Sequence, residues 1–390
     1  MAEKHKITYY LGAGASAATI PVVSDFKNTP KHILKFFEDY EKNCNIKLES
    51  YYPFVKNIKD LFTRFSYAFE KVCSMDTLAK RYFQTDFRDE NYYDYKLFLE
   101  VIFTFYHFIQ IDKIKFQNTN IESSNISFSK SYPDSRYENL IRTVGEKRSD
   151  AYNMLKVEIP NNFQFITWNY DLLFESTIAN DLHNINSGSA FEIYKYIRGA
   201  NINPEAYNGA NILKLNGTCI QMHCVWDIVE KENNAINDSY EDTAKRYIKV
   251  LEKIHNHHHD FAKIGGTKES SSIRFAWESE SNDGIKTKLE SIATATEIVV
   301  LIGYSFPSVN RKIDEFFFKN LKPEAIVYVQ GKDYDDSNKT KRLLEQCFIN
   351  CTPPFTIIPV ESGNFFYVPA EYFEEKKSER GGMIEVINEN

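Results

Sequence analysis

Four short clusters of small and polar residues carry the chemistry legible in this 390-residue chain. The first is Gly12-Ala13-Gly14-Ala15-Ser16-Ala17, directly after the β-branched and aromatic run Ile7-Thr8-Tyr9-Tyr10-Leu11. A Gly-x-Gly-x-x-Ala turn leaving a strand matches a dinucleotide fingerprint. Its glycines allow a tight turn and close backbone approach, so that free N–H groups can face a diphosphate. A plain strand-to-helix turn is the bland alternative, because a lone fingerprint is weak. The other clusters are Thr167-Trp168-Asn169-Tyr170-Asp171, Lys214-Leu215-Asn216-Gly217-Thr218 and Gly303-Tyr304-Ser305-Phe306-Pro307. Each follows an apolar run, and each alone reads as a cap or turn. In an open parallel sheet, ligands bind beyond the carboxyl ends of the strands. Four polar strand ends in one chain can therefore line one crevice.

The elements that must position these clusters follow from periodicity. Phe163–Thr167, Ile212–Leu215, Glu297–Gly303 and Ala325–Val329 read as buried strands, Phe191–Tyr194 as another, and Phe355–Val360, with Pro359 inside it, as an edge strand. Helices are predicted over Lys286–Thr296 and Asn310–Asn320, and as a run from Leu172 to Ile178. A helix is also expected to begin with Thr29 as N-cap and Pro30 as its first residue. From there to about Val157 the chain reads as mostly helical, broken by a polar loop, Asn118–Ser131. The segment from Lys231 to about Ser272 is polar and ambiguous, and Arg274–Glu278 is strand-like or a short turn. Strands alternating with helices predict an α/β fold with a Rossmann-like parallel sheet and a large helical insertion. An ordinary Rossmann dehydrogenase places an acidic residue on its second strand; Glu38 and Asp39 have the right distance but fall on a predicted helix.

Composition bounds the function class. Lys+Arg 47 against Asp+Glu 54 gives a net charge of -7, so direct nucleic-acid binding is not expected. With 43% hydrophobic and 15% aromatic residues, the chain has the material for a packed core and is not a disordered one. No apolar run is long enough for a membrane span: the richest, Leu97–Ile109, is short and carries Glu100 and His107. The N-terminus lacks a signal-peptide core, so a cytoplasmic location with six reduced cysteines is expected. Cys219 and Cys224 flank His223 without a second pair, which does not make a zinc site. His255, His257, His258, His259 and Asp260 read as a polar helix end or loop rather than a metal set, and Phe316-Phe317-Phe318 as core.

The glycine loop Gly-Ala-Gly-Ala-Ser, then Thr-Trp-Asn-Tyr-Asp, then Gly-Tyr-Ser-Phe-Pro is a motif order that resembles the sirtuin-like (SIR2-like) family. The branch it is most similar to is the bacterial one whose domain degrades NAD in anti-phage defence. The likeness covers residues 5–30 and about 160–330. It implies a sirtuin-type sheet in one domain, 1–372, with core segments 5–30 and 158–360, a helical insertion at about 30–157, a polar insertion at about 231–272 and a charged tail, 373–390, expected to fray. It implies NAD as substrate, no metal, and hydrolysis to nicotinamide and ADP-ribose as a regulated effector of abortive infection. Gly12, Ala13, Gly14, Ala15 and Ser16 would hold the diphosphate, with Thr167 at the neighbouring strand end. Asn169 would position the attacking water and the nicotinamide ribose, Asp171 would bind the carboxamide, and Gly303 and Ser305 would contact the adenosine half. Asp25-Phe26-Lys27 is similar to a sirtuin Asp-Phe-Arg segment but lies two residues further from Ile20-Pro21. No separate sensor domain fits after residue ~370. A co-encoded sensor or activator (a HerA-like ATPase, a short Argonaute or a nucleotide-sensing protein) or assembly into a homo-oligomer or hetero-complex is therefore expected to gate the activity.

One position departs from the family. The histidine that precedes the glycine, acting there as base on a ribose hydroxyl, is Asn216 in this chain. An amide accepts no proton at neutral pH. Three readings stay open: Asn216 orients the ribose without base chemistry, another histidine such as His223 reaches in, or the site binds NAD or a derivative without cutting it. The last would make the chain a binding module that signals by assembly. A protein deacylase is a third class, weakened because the zinc-holding Cys-x-x-Cys pairs of deacetylating sirtuins are absent.

Overall fold

The computed structural model describes residues 4–20, 26–71, 75–85, 90–112, 127–130, 134–149, 155–177, 197–199, 212–219, 239–263, 271–348, 353–362 and 364–374. Along the chain, β1 (Ile7–Leu11) is followed by helices α1 (Thr29–Cys44), α2 (Leu48–Tyr51), α3 (Phe54–Lys71), α4 (Met75–Thr85) and α5 (Glu90–Phe108). Next come an antiparallel pair, β2 (Ile109–Asp112) with β3 (Ser127–Lys130), then α6 (Ser135–Val144) and a second pair, β4 (Glu146–Ser149) with β5 (Leu155–Glu158). The chain continues through β6 (Phe163–Thr167), β7 (Ile197–Gly199), β8 (Ile212–Lys214), α7 (Tyr240–Lys263), α8 (Ala276–Glu280) and α9 (Asp283–Ala295). It closes with β9 (Ile298–Ile302), α10 (Arg311–Lys319), β10 (Ile326–Gly331), α11 (Tyr334–Glu345) and β11 (Thr356–Glu361).

Seven strands form one sheet in the order β11-β10-β9-β1-β6-β8-β7, and all six pairings are parallel. The α/β expectation is therefore met, with β11 as the predicted edge. Alternate side chains enter opposite cores. Ile7, Tyr9 and Leu11 of β1, with Ile298, Val300 and Ile302 of β9, join the aromatic core under α1, α3, α5 and α7. Tyr10, Val299 and Leu301 face the other core, with Ile285, Leu289, Phe317, Phe318 and Leu344 from α9, α10 and α11. Both faces are covered, which is why these strands are mostly apolar; the polar side chain of β1, Thr8, is buried with its hydroxyl 2.6 Å from that of Thr296.

Beyond β1 the chain passes to β6 and β8 on one side and later returns to β9 on the other. The order thus reverses between β1 and β9, the place where such sheets bind ligands. The register brings the strand ends level. Leu11 pairs with both Thr167 and Ile302, and Thr167 pairs with Lys214. The four polar clusters therefore leave the sheet side by side.

Several local expectations change. The N-cap of α1 is Asn28, with Thr29 inside the helix and its hydroxyl 2.7 Å from that of Tyr106. Between β1 and β6 the chain is not only helical, since β2–β3 and β4–β5 lie there. Ser127–Lys130 of the predicted polar loop is one of those strands. Part of the ambiguous segment is the 24-residue α7, which buries Ala244, Tyr247, Ile248 and Leu251 against the layer around α5. Arg274–Glu278 leads into α8 rather than forming a strand. Phe191–Tyr194 and the tail from 375 lie outside the described residues. Among those described, no helix is long and apolar enough to cross a membrane.

Helix α5 contains the apolar run Leu97–Ile109 up to Phe108 and is buried on all sides, so its polar residues must find partners inside. Glu100 accepts from the Ser271 hydroxyl (2.7 Å), Ser272 N–H (3.0 Å) and His258 Nε2 (2.9 Å). Thr104 donates to the Cys219 carbonyl at 3.3 Å, and His107 Nε2 accepts from Leu172 N–H at 3.0 Å. The helix thereby pins the loops after β6 and β8. His255 instead lies 2.9 Å from Asn57, so these two members of the histidine cluster serve packing on different helices.

Candidate functional site

Beyond the carboxyl ends of β1, β6, β8 and β9 lies a cavity of about 380 Å³, within the size range of small-ligand sites. Its walls include Ala13 and Ser16 from the glycine loop, Trp168, Asn169, Tyr170 and Asp171 after β6, Asn216 after β8, and Gly303, Tyr304 and Ser305 after β9. Of the eleven residues singled out for this site, Ala13, Ser16, Asn169, Asp171, Asn216, Gly303 and Ser305 line it. Gly12, Gly14, Ala15 and Thr167 stand behind that wall.

The contact between the glycine loop and Gly303 shapes the wall. Gly303 has φ +61°, and a Cβ there would sit 2.4 Å from the Ala15 nitrogen and the Gly14 carbonyl carbon. Only glycine lets the two loops touch. They are bonded at that contact: Gly14 N–H donates to the Gly303 carbonyl and Gly12 N–H to that of Ile302, both at 2.9 Å. Ala15 and Ala17 N–H groups donate within the turn, to Gly12 and Gly14 carbonyls. Four of the loop's amides are thus committed to the protein, not displayed to an anion. A single 3₁₀ turn, Ala13–Ser16, replaces the long helix that follows a dinucleotide fingerprint. Phe306 also has a positive φ, 51°, a costly conformation for a bulky residue. Its ring is held by Tyr304 and Phe318 at 4.8 and 5.8 Å.

Asn169 is buried and its amide hydrogens are fixed. Nδ2 donates to the Gly12 carbonyl at 3.0 Å and to the Ser16 hydroxyl at 3.1 Å, while Thr167 Oγ1 accepts from Asn169 N–H at 3.0 Å. What the side chain offers to the cavity is its acceptor oxygen. Asn216 is 4% exposed, and its Nδ2 donates to the Trp168 carbonyl at 3.0 Å. Its Oδ1 is buried without a hydrogen-bond partner among the described residues. Such orphan acceptors are rare in folded proteins and call for an explanation.

A second such orphan among the described residues is Oδ1 of Asn310, another residue that lines the cavity. Its orientation follows from a network beneath the wall. Tyr10 and Tyr304 hydroxyls donate to Asp314, at 2.5 and 2.8 Å, and Trp168 Nε1 donates to the Tyr10 oxygen at 2.9 Å. The Tyr304 oxygen must then accept from Asn310 Nδ2, 2.9 Å away, which leaves Oδ1 over. Burial pushes the Asp314 carboxyl up to about 7 against the pull of these donors.

Asp171 accepts from Leu173 N–H at 3.1 Å, capping the helical turn at 173–177. Burial raises its pKa, opposed by Lys214, by Ser16 and by that N–H. Lys214 donates to the Asp171 carbonyl and pairs with Glu175 at 2.9 Å, both side chains 1% exposed. The pair fixes the backbone that carries Asp171.

Asp76, Asn310, Phe103 and Trp168 line the cavity without having been picked out as site residues. Asn310 carried a signal, as a polar residue opening the helix after the last cluster. Asp76 and Phe103 carried none, since they belong to the helical layer. Phe26 lines the wall, whereas Asp25, Cys224 and His223 lie outside the described residues. No histidine lines the cavity among the described residues. Another cavity of about 390 Å³ involves Phe83, Trp277, Lys96 and Glu278, whose two charges are already paired at 2.8 Å. Comparison of the chain with family models, with curated proteins and with solved structures yields no match.

Proposed function

We propose that this protein hydrolyses NAD to nicotinamide and ADP-ribose, as a sirtuin-like effector. The observation that carries the reading is Asn216, a residue lining the cavity at the sheet's switch point whose buried Oδ1 has no hydrogen-bond partner among the described residues. A ribose hydroxyl is the donor such an acceptor needs. Asn310 Oδ1 provides a second acceptor, suited to a hydroxyl or amine of the adenosine half. Ser16, Ser305 and Asn169 add polar groups along the same wall.

Nicotinamide is a cationic leaving group, so its departure needs little acid assistance. The protein has to fix the ribose, favour an oxocarbenium-like centre and deliver water. Asn169, with its amide hydrogens fixed, presents an oxygen that orients a hydroxyl or water. Asp171 binds the carboxamide, and a carboxylate there favours the developing cation. Asn216 accepts the ribose hydroxyl but takes no proton from it. The role in anti-phage abortive infection, the cytoplasmic setting and gating by a co-encoded protein or by assembly belong to the same proposal and rest on the family resemblance.

The test is nicotinamide release from NAD by the whole chain, alone and with its co-encoded neighbours. Asn169→Ala serves as control, and calorimetry measures NAD binding. Release that disappears in the control is expected. A second reading, binding without cleavage, draws on the absence of a base at Asn216. Tight NAD binding with no release under any condition would establish it and end the hydrolase proposal.

A further inference from the structure

The helical layer brings an unannounced carboxyl group to the cavity. Asp76 is the second residue of α4 and lines the cavity with Met75, Phe26, Phe103 and Tyr170. These residues make an aromatic end. The Phe26 and Phe103 rings are 4.8 Å apart, Phe103 and Tyr170 4.9 Å. The Tyr170 hydroxyl donates to Asp76 Oδ1 at 3.3 Å, and the carboxyl also accepts from the Asp76 backbone N–H, so that the group is held in the cavity wall. No lysine, arginine or histidine pairs with Asp76 among the described residues.

We infer that Asp76 is the proton acceptor of this site, taking the proton of the water that replaces nicotinamide on the ribose. The inference rests on the hydrolase reading above. In the step, the C1′–N bond breaks and its electron pair stays on the ring nitrogen, so nicotinamide leaves neutral. The water oxygen bonds to C1′, one of its protons passes to Asp76, and from there to solvent. An aromatic end suits the nicotinamide ring, and a carboxylate beside it suits an electron-poor C1′. The role is one that Asn216 cannot fill, and no histidine lines the cavity among the described residues.

Proton affinity agrees with the geometry. Burial lifts the Asp76 carboxyl to about 6, although the Tyr170 hydroxyl pulls the other way. The titratable groups that face it are Tyr170 and Tyr95, both phenols pushed far up by burial and neutral throughout. Asp171, on the same cavity, is tied to Leu173 N–H. Asp76 is thus ionised at neutral pH and protonated in mild acid.

The experiment measures nicotinamide release from pH 4.5 to 8.5 and NAD binding by calorimetry, for the whole chain and for Asp76→Asn, Asp76→Glu and Asn169→Ala. Asp76→Asn is expected to lose about 10²–10⁴ in kcat, with NAD affinity within about threefold. The fall in wild-type rate below about pH 6 should vanish in its residual activity. Asp76→Glu should keep that acid limb at reduced rate. Wild-type kcat and acid limb in Asp76→Asn, beside an inactive Asn169→Ala, would overturn the role of Asp76 and leave the hydrolase standing. Loss of NAD binding by a folded Asp76→Asn would overturn it too, by making Asp76 a binding residue. No release from the wild type under any condition would overturn both.

Discussion

Asp314 offers a pH experiment on the wall of the site. Its carboxyl is fully buried, with two phenols as donors and no cation among its hydrogen-bond partners. Burial dominates and lifts it from 3.8 to about 7. The sign follows from proton counting. Between these two values the native protein holds a proton that the unfolded chain has released. Stability therefore falls as pH rises through that window and levels off above about 7. At pH 5.5 part of the cost is already present. From there to pH 8.5 a further ~1.5 pH units of the window are crossed, or about 2 kcal/mol at 1.36 kcal/mol per unit. Asp314→Asn keeps an acceptor for the tyrosines and removes the titration. Urea unfolding of both proteins at pH 5.5 and 8.5, at fixed salt, isolates this group, since other sites titrate alike in each. The variant should gain about 2 kcal/mol on wild type between the two pH values. A stability difference independent of pH would refute the reasoning, because Asp314 would then be ionised throughout or titrating equally when unfolded.

Two further predictions concern what holds the wall in place. Lys214→Met leaves Glu175 charged and unpaired inside the protein, and should cost about 3–5 kcal/mol by urea unfolding, with Lys214→Met/Glu175→Leu recovering most of it; a single variant as stable as wild type would contradict this. Gly303→Ala drives a methyl into the Gly14–Ala15 backbone and holds alanine at φ +61°, so melting temperature and NAD binding should both drop; unchanged binding measured by calorimetry would show that the two loops separate without consequence.

Much of the sheet was legible because its strands obey one strong rule. β1, β6, β9 and β10 are buried on both faces, so each is a mostly apolar run, Thr8 and Gln164 aside, ending abruptly in glycine or polar residues. The four clusters gathered at one edge because parallel strands in register place their carboxyl ends together. What stayed hidden depends on contacts distant in sequence. β2 follows α5 without punctuation, since Phe108-Ile109 continues one apolar run across the change from helix to strand. β4 reads Glu-Lys-Arg-Ser, with no alternation to betray a strand. The glycine loop illustrates a subtler gap. Its glycines were visible, but their use, close packing against Gly303 with four amides turned inward, depends on a partner loop almost three hundred residues away.

Asp76 and Asn216 together explain why the helical layer matters to the chemistry. In the proposed hydrolase, an amide at Asn216 would hold a ribose hydroxyl without proton transfer, and the base would have to come from elsewhere. The sheet edge offers serines, asparagines and Asp171, whose carboxyl is engaged with a backbone N–H. The helical layer adds the Asp76 carboxyl group, held by one phenol and its own backbone N–H and with no cation paired to it among the described residues. That layer is also tied to the sheet edge through Glu100, Thr104 and His107 of α5, each bonded to the backbone or side chains of the loops that carry or back the site. In an apolar helix each of these groups needs its partner, since an unsatisfied buried polar group costs about 1–3 kcal/mol. The bonds that satisfy α5 therefore help fix the helical layer that carries Asp76 against the loops that carry Asn169 and Asn216. Under the proposed mechanism, the placement of Asp76 relative to the ribose would be set by helix packing rather than by the loops' own turns.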